Sequence, residues 1–209
     1  MKLFLASGNA HKAQEFQALA NATPAMRALR LEIFTAKAVG GMPPVVEDAG
    51  TFVGNARKKA QALRVLVPAT DWVLADDSGL CVDALGGAPG VESAYYAGPA
   101  GDSAANLNKL VETMRGVPAA RRQAYFVCVL FLLGGDGREQ VFEGRSDGSL
   151  LDEPRGGAGF GYDPLFVPED HTQTFAELGE ATKNALSHRS RAWGQLAAWL
   201  AAKENVASL

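Results

Sequence analysis

Residues 123–145 read QAYFVCVLFLLGGDGREQVFEGR, and the reading of this stretch decides the fold. Gln123 to Leu133 is rich in β-branched, aromatic and aliphatic residues with almost no polar interruption. That is the pattern of a strand buried on both faces, central in a sheet. Gly134-Gly135-Asp136-Gly137-Arg138 is turn chemistry, and Glu139 to Arg145 is expected to return beside the first strand as its hairpin partner.

Working outward, the chain alternates between short apolar runs and helical periodicities. Residues 2–6 predict a buried strand, and HKAQEFQALA (His11–Ala20) a helix with Phe16 and Leu19 facing inward. Leu31 to Thr35 suggests a second strand, and Gly40, Gly41, Pro43 and Pro44 a loop. Phe52, Ala56, Ala60, Leu63 and Val67 recur at intervals of three and four, so a helix is expected there, ended by Pro68. WVLA (Trp72–Ala75) predicts a strand that stops at Asp76-Asp77-Ser78-Gly79. ALGGAPGVESAYYAG (Ala84–Gly98) reads as an ordered surface loop, residues 103–115 as a helix, and Thr182 to Lys203 as one closing helix. Strands alternating with helices indicate α/β, and the adjacent strong strands around GGDGR make the sheet mixed. A single domain over 1–209 is expected, without internal repeat or separable linker.

Composition limits the function. Of 209 residues, 47% are hydrophobic and 21% charged, as in an ordinary globular protein, and this length buries roughly 70% of the unfolded surface. The net charge of −3 supplies no broad basic field for a nucleic acid polymer. No run approaches a membrane span, and no leader pattern opens the sequence, so a cytoplasmic protein is expected. Cys81 and Cys128 lie in apolar strands and read as buried thiols of a reducing compartment.

Four places carry chemistry. Ser7-Gly8-Asn9-Ala10-His11-Lys12 follows a strand and opens a helix, so its backbone N–H groups and helix dipole suit a phosphate, with Lys12 one turn along. It also reads as a plain start in which Asn9 caps the helix. Asp76-Asp77 places two adjacent carboxylates that repel unless neutralised, either as Mg²⁺ ligands or as an Asx-type turn. Glu47-Asp48 adds hard oxygen ligands, or simply acidic residues before a helix. PRGGAGFGYDPLF (Pro154–Phe166) lets backbone and the rings of Phe160 and Tyr162 approach a flat ligand, or else forms a hairpin whose aromatics fill the core. Lys183-Asn184 with Ser187-His188-Arg189 offers donors for a carbonyl-bearing base or a phosphate, or a solvated basic face. Zinc-type Cys/His spacing and a nucleophile elbow are both lacking.

In this order, LASGNAHKAQE, ADDSGLCVDALGGAPGVESAYYAG, PRGGAGFGYDPLF and KNALSHR resemble the inosine triphosphate pyrophosphatases, which remove non-standard purine nucleoside triphosphates from the nucleotide pool. The match spans nearly the whole chain. The resemblance implies an elongated mixed sheet flanked by helices, in two lobes around a central substrate cleft, and a homodimer. Ser7, Gly8, Asn9, Ala10, His11 and Lys12 would bind the triphosphate, with Lys59 as a second phosphate lysine. Asp77 would be the catalytic acid-base residue and a Mg²⁺ ligand together with Glu47, Asp48 and Asp76 being further candidates, and Ser78 would touch the substrate. Phe160, Gly161, Tyr162 and Asp163 would form the base and sugar pocket, and Lys183, His188 and Arg189 would hold the purine. Two departures stand out: VEDAGTFVGNA has Gly54 where the family shows Glu and is one residue short, and Thr182 replaces an acidic residue before Lys183.

The implied reaction is nucleoside triphosphate plus water to monophosphate plus pyrophosphate. It needs a positioned water, a positive clamp on the leaving group and a fixed base. Donors on His188 and Arg189 match the six-oxo group of inosine and xanthosine and are left unpaired by adenine. The competing readings are a house-cleaning pyrophosphatase for other modified nucleotides and a nucleotide-binding regulator without turnover.

Overall fold

The computed structural model describes residues 1–207, so residues 208 and 209 of the expected 1–209 domain lie outside the described residues. Six strands form one sheet: β1 (Lys2–Leu5), β2 (Glu32–Thr35), β3 (Trp72–Val82), β4 (Gln123–Leu133), β5 (Glu139–Leu150) and β6 (Phe166–Pro168), in the order β2-β1-β3-β4-β5-β6. β1 pairs in parallel with both β2 and β3, whereas β5 and β6 are antiparallel, so the sheet is mixed as expected. Helices α1 (Ala10–Ala22), α2 (Pro24–Ala28), α3 (Phe52–Arg64), α4 (Ser103–Thr113), α5 (Gly179–Leu186) and α6 (His188–Ala207) complete the α/β architecture.

The described chain divides into two compact units, one of Met1–Asp77, Cys128–Glu143 and the chain from Ser190, the other of Ser78–Val127 and Gly144–Arg189. In the first unit, strand alternation sorts the apolar residues onto two faces. Leu3, Leu5, Leu74, Leu130 and Leu132 pack with Phe16 and Leu19 of α1 and with Trp193, Leu196 and Leu200 of α6. Phe4, Val73, Ala75, Val129, Phe131 and Leu133 pack with Ala56, Ala60 and Leu63 of α3. Each face is thus closed by helices whose apolar residues recur at three and four. In the second unit, Leu80, Val82, Ala124, Phe126, Leu150 and Phe166 enclose a core with Leu110 and Met114.

Three expectations are corrected. β3 does not stop at Ala75 but runs through Asp76-Asp77-Ser78-Gly79 to Val82, because lysines neutralise both carboxylates, as described below. β5 continues five residues past Arg145, to Leu150. The closing helix is two helices, since Ser187 between α5 and α6 has an extended backbone (φ −68°, ψ 152°) that interrupts the helical turn.

The turn that fixes the β4–β5 hairpin also sets a steric limit. A Cβ added to Gly135 would stand 1.8 Å from the Ala69 carbonyl oxygen, an approach only glycine permits. Gly135→Ala must therefore displace the segment before β3, and a stability loss of about 2–3 kcal/mol is expected in denaturant unfolding. A wild-type midpoint would show that this segment yields freely.

Candidate active site

The two adjacent aspartates of β3 point to opposite faces of the sheet, and each meets a lysine from the helix on its own face. Asp76 shares the face of Leu74, and its Oδ1 accepts a hydrogen bond from Lys12 Nζ of α1. Asp77 shares the face of Val73 and Ala75, and its Oδ1 lies 2.6 Å from Lys59 Nζ of α3. Lys59 follows Ala56 and precedes Ala60, so helical spacing carries it inward with the apolar stripe. The mutual repulsion foreseen for the pair is thus met by two separate cations rather than one shared ligand.

Lys59 Nζ also lies 3.0 Å from Glu47 Oε2, so Glu47 and Asp77 share one ammonium. Burial alone would pull Lys59 down, but Asp77, Glu47 and Asp76 outweigh it and hold the ammonium above its ordinary range. Asp77 is pushed up to about 6, chiefly by burial, with Lys59 and Lys12 opposing and Glu47 adding repulsion. The other oxygen, Asp77 Oδ2, is buried without a hydrogen-bond partner. A carboxylate oxygen left bare in this way invites a cation or a water.

This donor set fits Mg²⁺. Among the described residues, His, Cys, Asp and Glu nowhere gather in a group of three or more that could hold a metal. Mg²⁺ characteristically uses one or two carboxylates and takes its remaining ligands from water and substrate phosphate. Glu47 and Asp77 provide that pair. Asp48 pairs with Lys58 and is largely exposed, and Asp76 pairs with Lys12 on the opposite face of β3.

The loop that carries Glu47 is strapped to α3 by residues that sequence reasoning passed over. Asn55 Oδ1 accepts from Ala49 N–H at 3.1 Å, and Lys58 Nζ donates to the Val46 carbonyl at 3.2 Å. The unexpected Gly54 belongs to this arrangement: a Cβ there would come within 2.5 Å of Ala49 Cβ. The loop at Ala49 therefore passes where a side chain at position 54 would begin.

At the end of β1, Ser7-Gly8-Asn9 forms a capped helix start. Asn9 Oδ1 accepts from the N–H groups of His11 and Lys12, at 2.9 and 3.3 Å, and Ser7 Oγ accepts from Asn9 N–H at 3.1 Å. The capping reading is therefore realised. Gly8, Asn9, Ala10 and His11 nonetheless remain exposed beside the Lys12–Asp76 pair.

The second unit holds the remaining sequence-expected residues. Lys183 Nζ donates to Asp163 Oδ2 at 2.8 Å, and the same oxygen accepts the Phe160 N–H at 2.8 Å. Asp163 thereby supplies the acid that Thr182 does not. Gly159, at φ +78°, permits this, since a Cβ would stand 2.3 Å from that oxygen. The Lys183 ammonium lies 4.8 Å and the Arg189 guanidinium 5.9 Å from the Phe160 ring centre, so two cations border one half-buried aromatic. Gly161 adopts φ +63° in the turn beyond Phe160. Arg189 Nη2 reaches Ser78 Oγ at 3.4 Å, and His188 stacks on Phe126, 4.8 Å between ring centres and 12° from parallel. Phe126 was read only as strand core, although strand alternation places it on one face with Ala124 and Cys128.

Tyr162 departs from the pocket expectation. It is buried in the second unit's core, and its hydroxyl donates to the Ser93 carbonyl at 2.9 Å, with burial holding its pKa above the ordinary range. The reading in which the glycine-rich stretch feeds aromatics to the core thus holds for Tyr162, while Phe160 stays at the surface of the cation cluster.

Asp77 also makes stability depend on pH. Its folded pKa of about 6 lies above the ordinary 3.8. Protonation of this group therefore favours the metal-free fold fully below about pH 4, and the benefit is lost as pH rises through 6. The stability advantage of Asp77→Asn over wild type should accordingly grow between pH 4 and 7 by up to about 3 kcal/mol in metal-free unfolding curves. A constant difference across that range would contradict the buried, raised carboxyl.

The fold is thus an α/β protein in which one unit carries lysine-neutralised carboxylates on a two-faced sheet and the other carries an aromatic ring bordered by cations. The sequence profile of the Ham1 family matches residues 3–199, and the chain belongs to that family. A protein of Opitutus terrae named dITP/XTP pyrophosphatase is 64% identical over 199 residues, covering 95% of this chain and 98% of that protein. One of Leuconostoc mesenteroides with the same name is 41% identical, covering 94% of each. Among solved structures, the Ham1 protein of Staphylococcus aureus superposes with a TM-score of 0.83 at 33% identity, covering 97% of this chain and all of that one. The dITP/XTP pyrophosphatase of Mycobacterium abscessus superposes at 0.73 with 39% identity, covering 94% of this chain and 98% of that one.

Proposed function

We propose that this protein hydrolyses non-standard purine nucleoside triphosphates, those of inosine, deoxyinosine and xanthosine, to the monophosphate and pyrophosphate, with Mg²⁺ as cofactor. Family membership and the names of the relatives support the reaction. The observation that carries the chemistry is the buried, unpartnered Asp77 Oδ2 beside the Glu47–Lys59–Asp77 cluster.

Mg²⁺ held by Glu47 and Asp77 would neutralise charge on the phosphates. Asp77 orients a water with its bare oxygen and takes the proton as that water adds to the α-phosphorus, and the bond to the bridging oxygen breaks with pyrophosphate leaving. In the metal-free site burial pushes Asp77 up to about 6, so this carboxyl is largely ionised at neutral pH. Lys12, Lys59 and the Ser7–His11 turn receive the departing charge. Phe160 offers a face for the base, with Gly161 and Asp163 on the base and sugar side, and Lys183 helps to hold the purine. His188 and Arg189 donate to a six-oxo purine, and adenine would leave those buried donors unpaired. Tyr162 contributes by anchoring the turn beneath Phe160.

Hydrolysis of inosine, deoxyinosine, xanthosine, guanosine and adenosine triphosphates, followed by pyrophosphate release with and without Mg²⁺, tests the assignment. Selective turnover of the first three only with Mg²⁺ is expected. Equal rates on adenosine triphosphate, or full activity in chelator, would overturn it.

Among the described residues no helix is long and apolar enough to cross a membrane. Cys81 and Cys128 are buried and neither is in a disulfide, which supports a reducing, cytoplasmic setting. A homodimer is part of the same proposal, supported by the half-exposed Tyr95 in the Ala84–Gly98 segment, and light scattering of the purified chain checks it.

A further inference from the structure

We propose that Cys128 is a positioning residue for substrate binding, acting through Asp76 on Lys12. The inference rests on the reading of Lys12 as a phosphate ligand. The Asp76 side chain is fully buried, and a buried carboxylate must have its oxygens satisfied. Oδ1 takes the Lys12 ammonium, and Oδ2 accepts from the Cys128 thiol at 3.2 Å. The arrangement follows from strand parity. Cys128 in β4 falls on the same face as Leu130 and Leu132, and Asp76 on that of Leu74, the face closed by α1.

A thiol is a weak donor to neutral acceptors, but a charged acceptor strengthens the bond. Its effect here is directional. Held at Oδ2, the carboxylate is kept from turning about its Cβ–Cγ bond, so Oδ1 stays aimed at α1 and keeps Lys12, whose side chain is 16% exposed, at the edge of the buried region. Without the thiol, Oδ2 loses this donor, and the Lys12 ammonium is already paired with the same carboxylate. The lysine is then drawn inward onto both oxygens, away from an incoming phosphate. Cys128 thus acts on binding of the phosphate chain and not on the proton transfer, which belongs to Asp77 on the opposite face of β3.

The test is a double-mutant cycle on the full chain with deoxyinosine triphosphate, with thermal unfolding of each variant recorded in parallel. Cys128→Ala is expected to raise KM about tenfold, the size of one hydrogen bond to a charged group, with kcat within about twofold of wild type. Cys128→Ser, which restores a donor, should return KM to within about threefold even if its melting temperature falls. In a Lys12→Met background, Cys128→Ala should add no further change in KM, whereas a purely structural defect would add in full. An unchanged KM in Cys128→Ala, failure of Ser to rescue, or equal effects in both backgrounds would overturn the inference. If Lys12→Met raises KM while Cys128→Ala does not, only the role of Cys128 falls. If Lys12→Met itself leaves KM unchanged, the phosphate reading of Lys12 falls and takes this inference with it.

Discussion

Asp77→Asn is expected to lower kcat by about 10³-fold or more while nucleotide affinity, measured by calorimetry with a non-hydrolysable analogue, changes only a few-fold. Asn preserves the shape and a hydrogen-bonding oxygen toward Lys59 but removes the base and half of the carboxylate pair. The structural argument is specific to one atom: Oδ2 is the buried carboxylate oxygen that lacks a partner, so it is the oxygen available to a water. The neighbouring Asp76→Asn offers a control, because Asp76 is engaged on both oxygens on the other face. It should act on KM far more than on kcat. If Asp77→Asn kept kcat within tenfold of wild type, the base would have to be sought elsewhere.

Lys59→Met should have the second-largest effect. The lysine sits 2.6 Å from Asp77 and 3.0 Å from Glu47, and its removal leaves two carboxylates facing each other with no cation between them. Breaking such a buried arrangement costs about 3–5 kcal/mol, somewhat less where Glu47 reaches solvent. The metal-free variant should therefore melt well below wild type. Mg²⁺ should restore more stability to it than to wild type, because the ammonium no longer competes for the same oxygens. Turnover should not recover in parallel, since the positive charge facing the leaving group is gone, and kcat/KM should remain about 10²-fold down. A variant with wild-type kcat/KM and an ordinary Mg²⁺ response would remove Lys59 from the site.

The sheet was legible because apolar runs and three-four spacings report burial directly. Gln123–Leu133 is observed as expected, as is the inward stripe of α3. Two of the three corrected expectations, the ends of β3 and β5, share one cause, since polar residues there do not end the strand. Asp76 and Asp77 stop a strand only when nothing neutralises them, and their lysines lie 64 and 18 residues away in sequence. Ser187 is the reverse case: serine is tolerated in helices, so the sequence does not announce the extended backbone that separates α5 from α6. In the site, charged residues announced themselves by type, whereas Asn55, Phe126 and Cys128 did not. Asn55 ties down a loop six residues earlier, Phe126 meets His188 of a helix, and Cys128 meets Asp76 across 52 residues of chain, pairings that only the folded backbone brings together.

The opposite facing of Asp76 and Asp77 has a consequence for how this chain can vary. Inserting or deleting one residue in β3 ahead of Asp76 would exchange the two carboxylates between faces, presenting each to the other's lysine and turning Leu74 and Val73 out of their cores. Length changes at that point are thus barred by chemistry and by packing together. Libraries of insertions should show a gap from Trp72 to Asp77, so a map of permitted indels would mark this part of the site without any assay of catalysis.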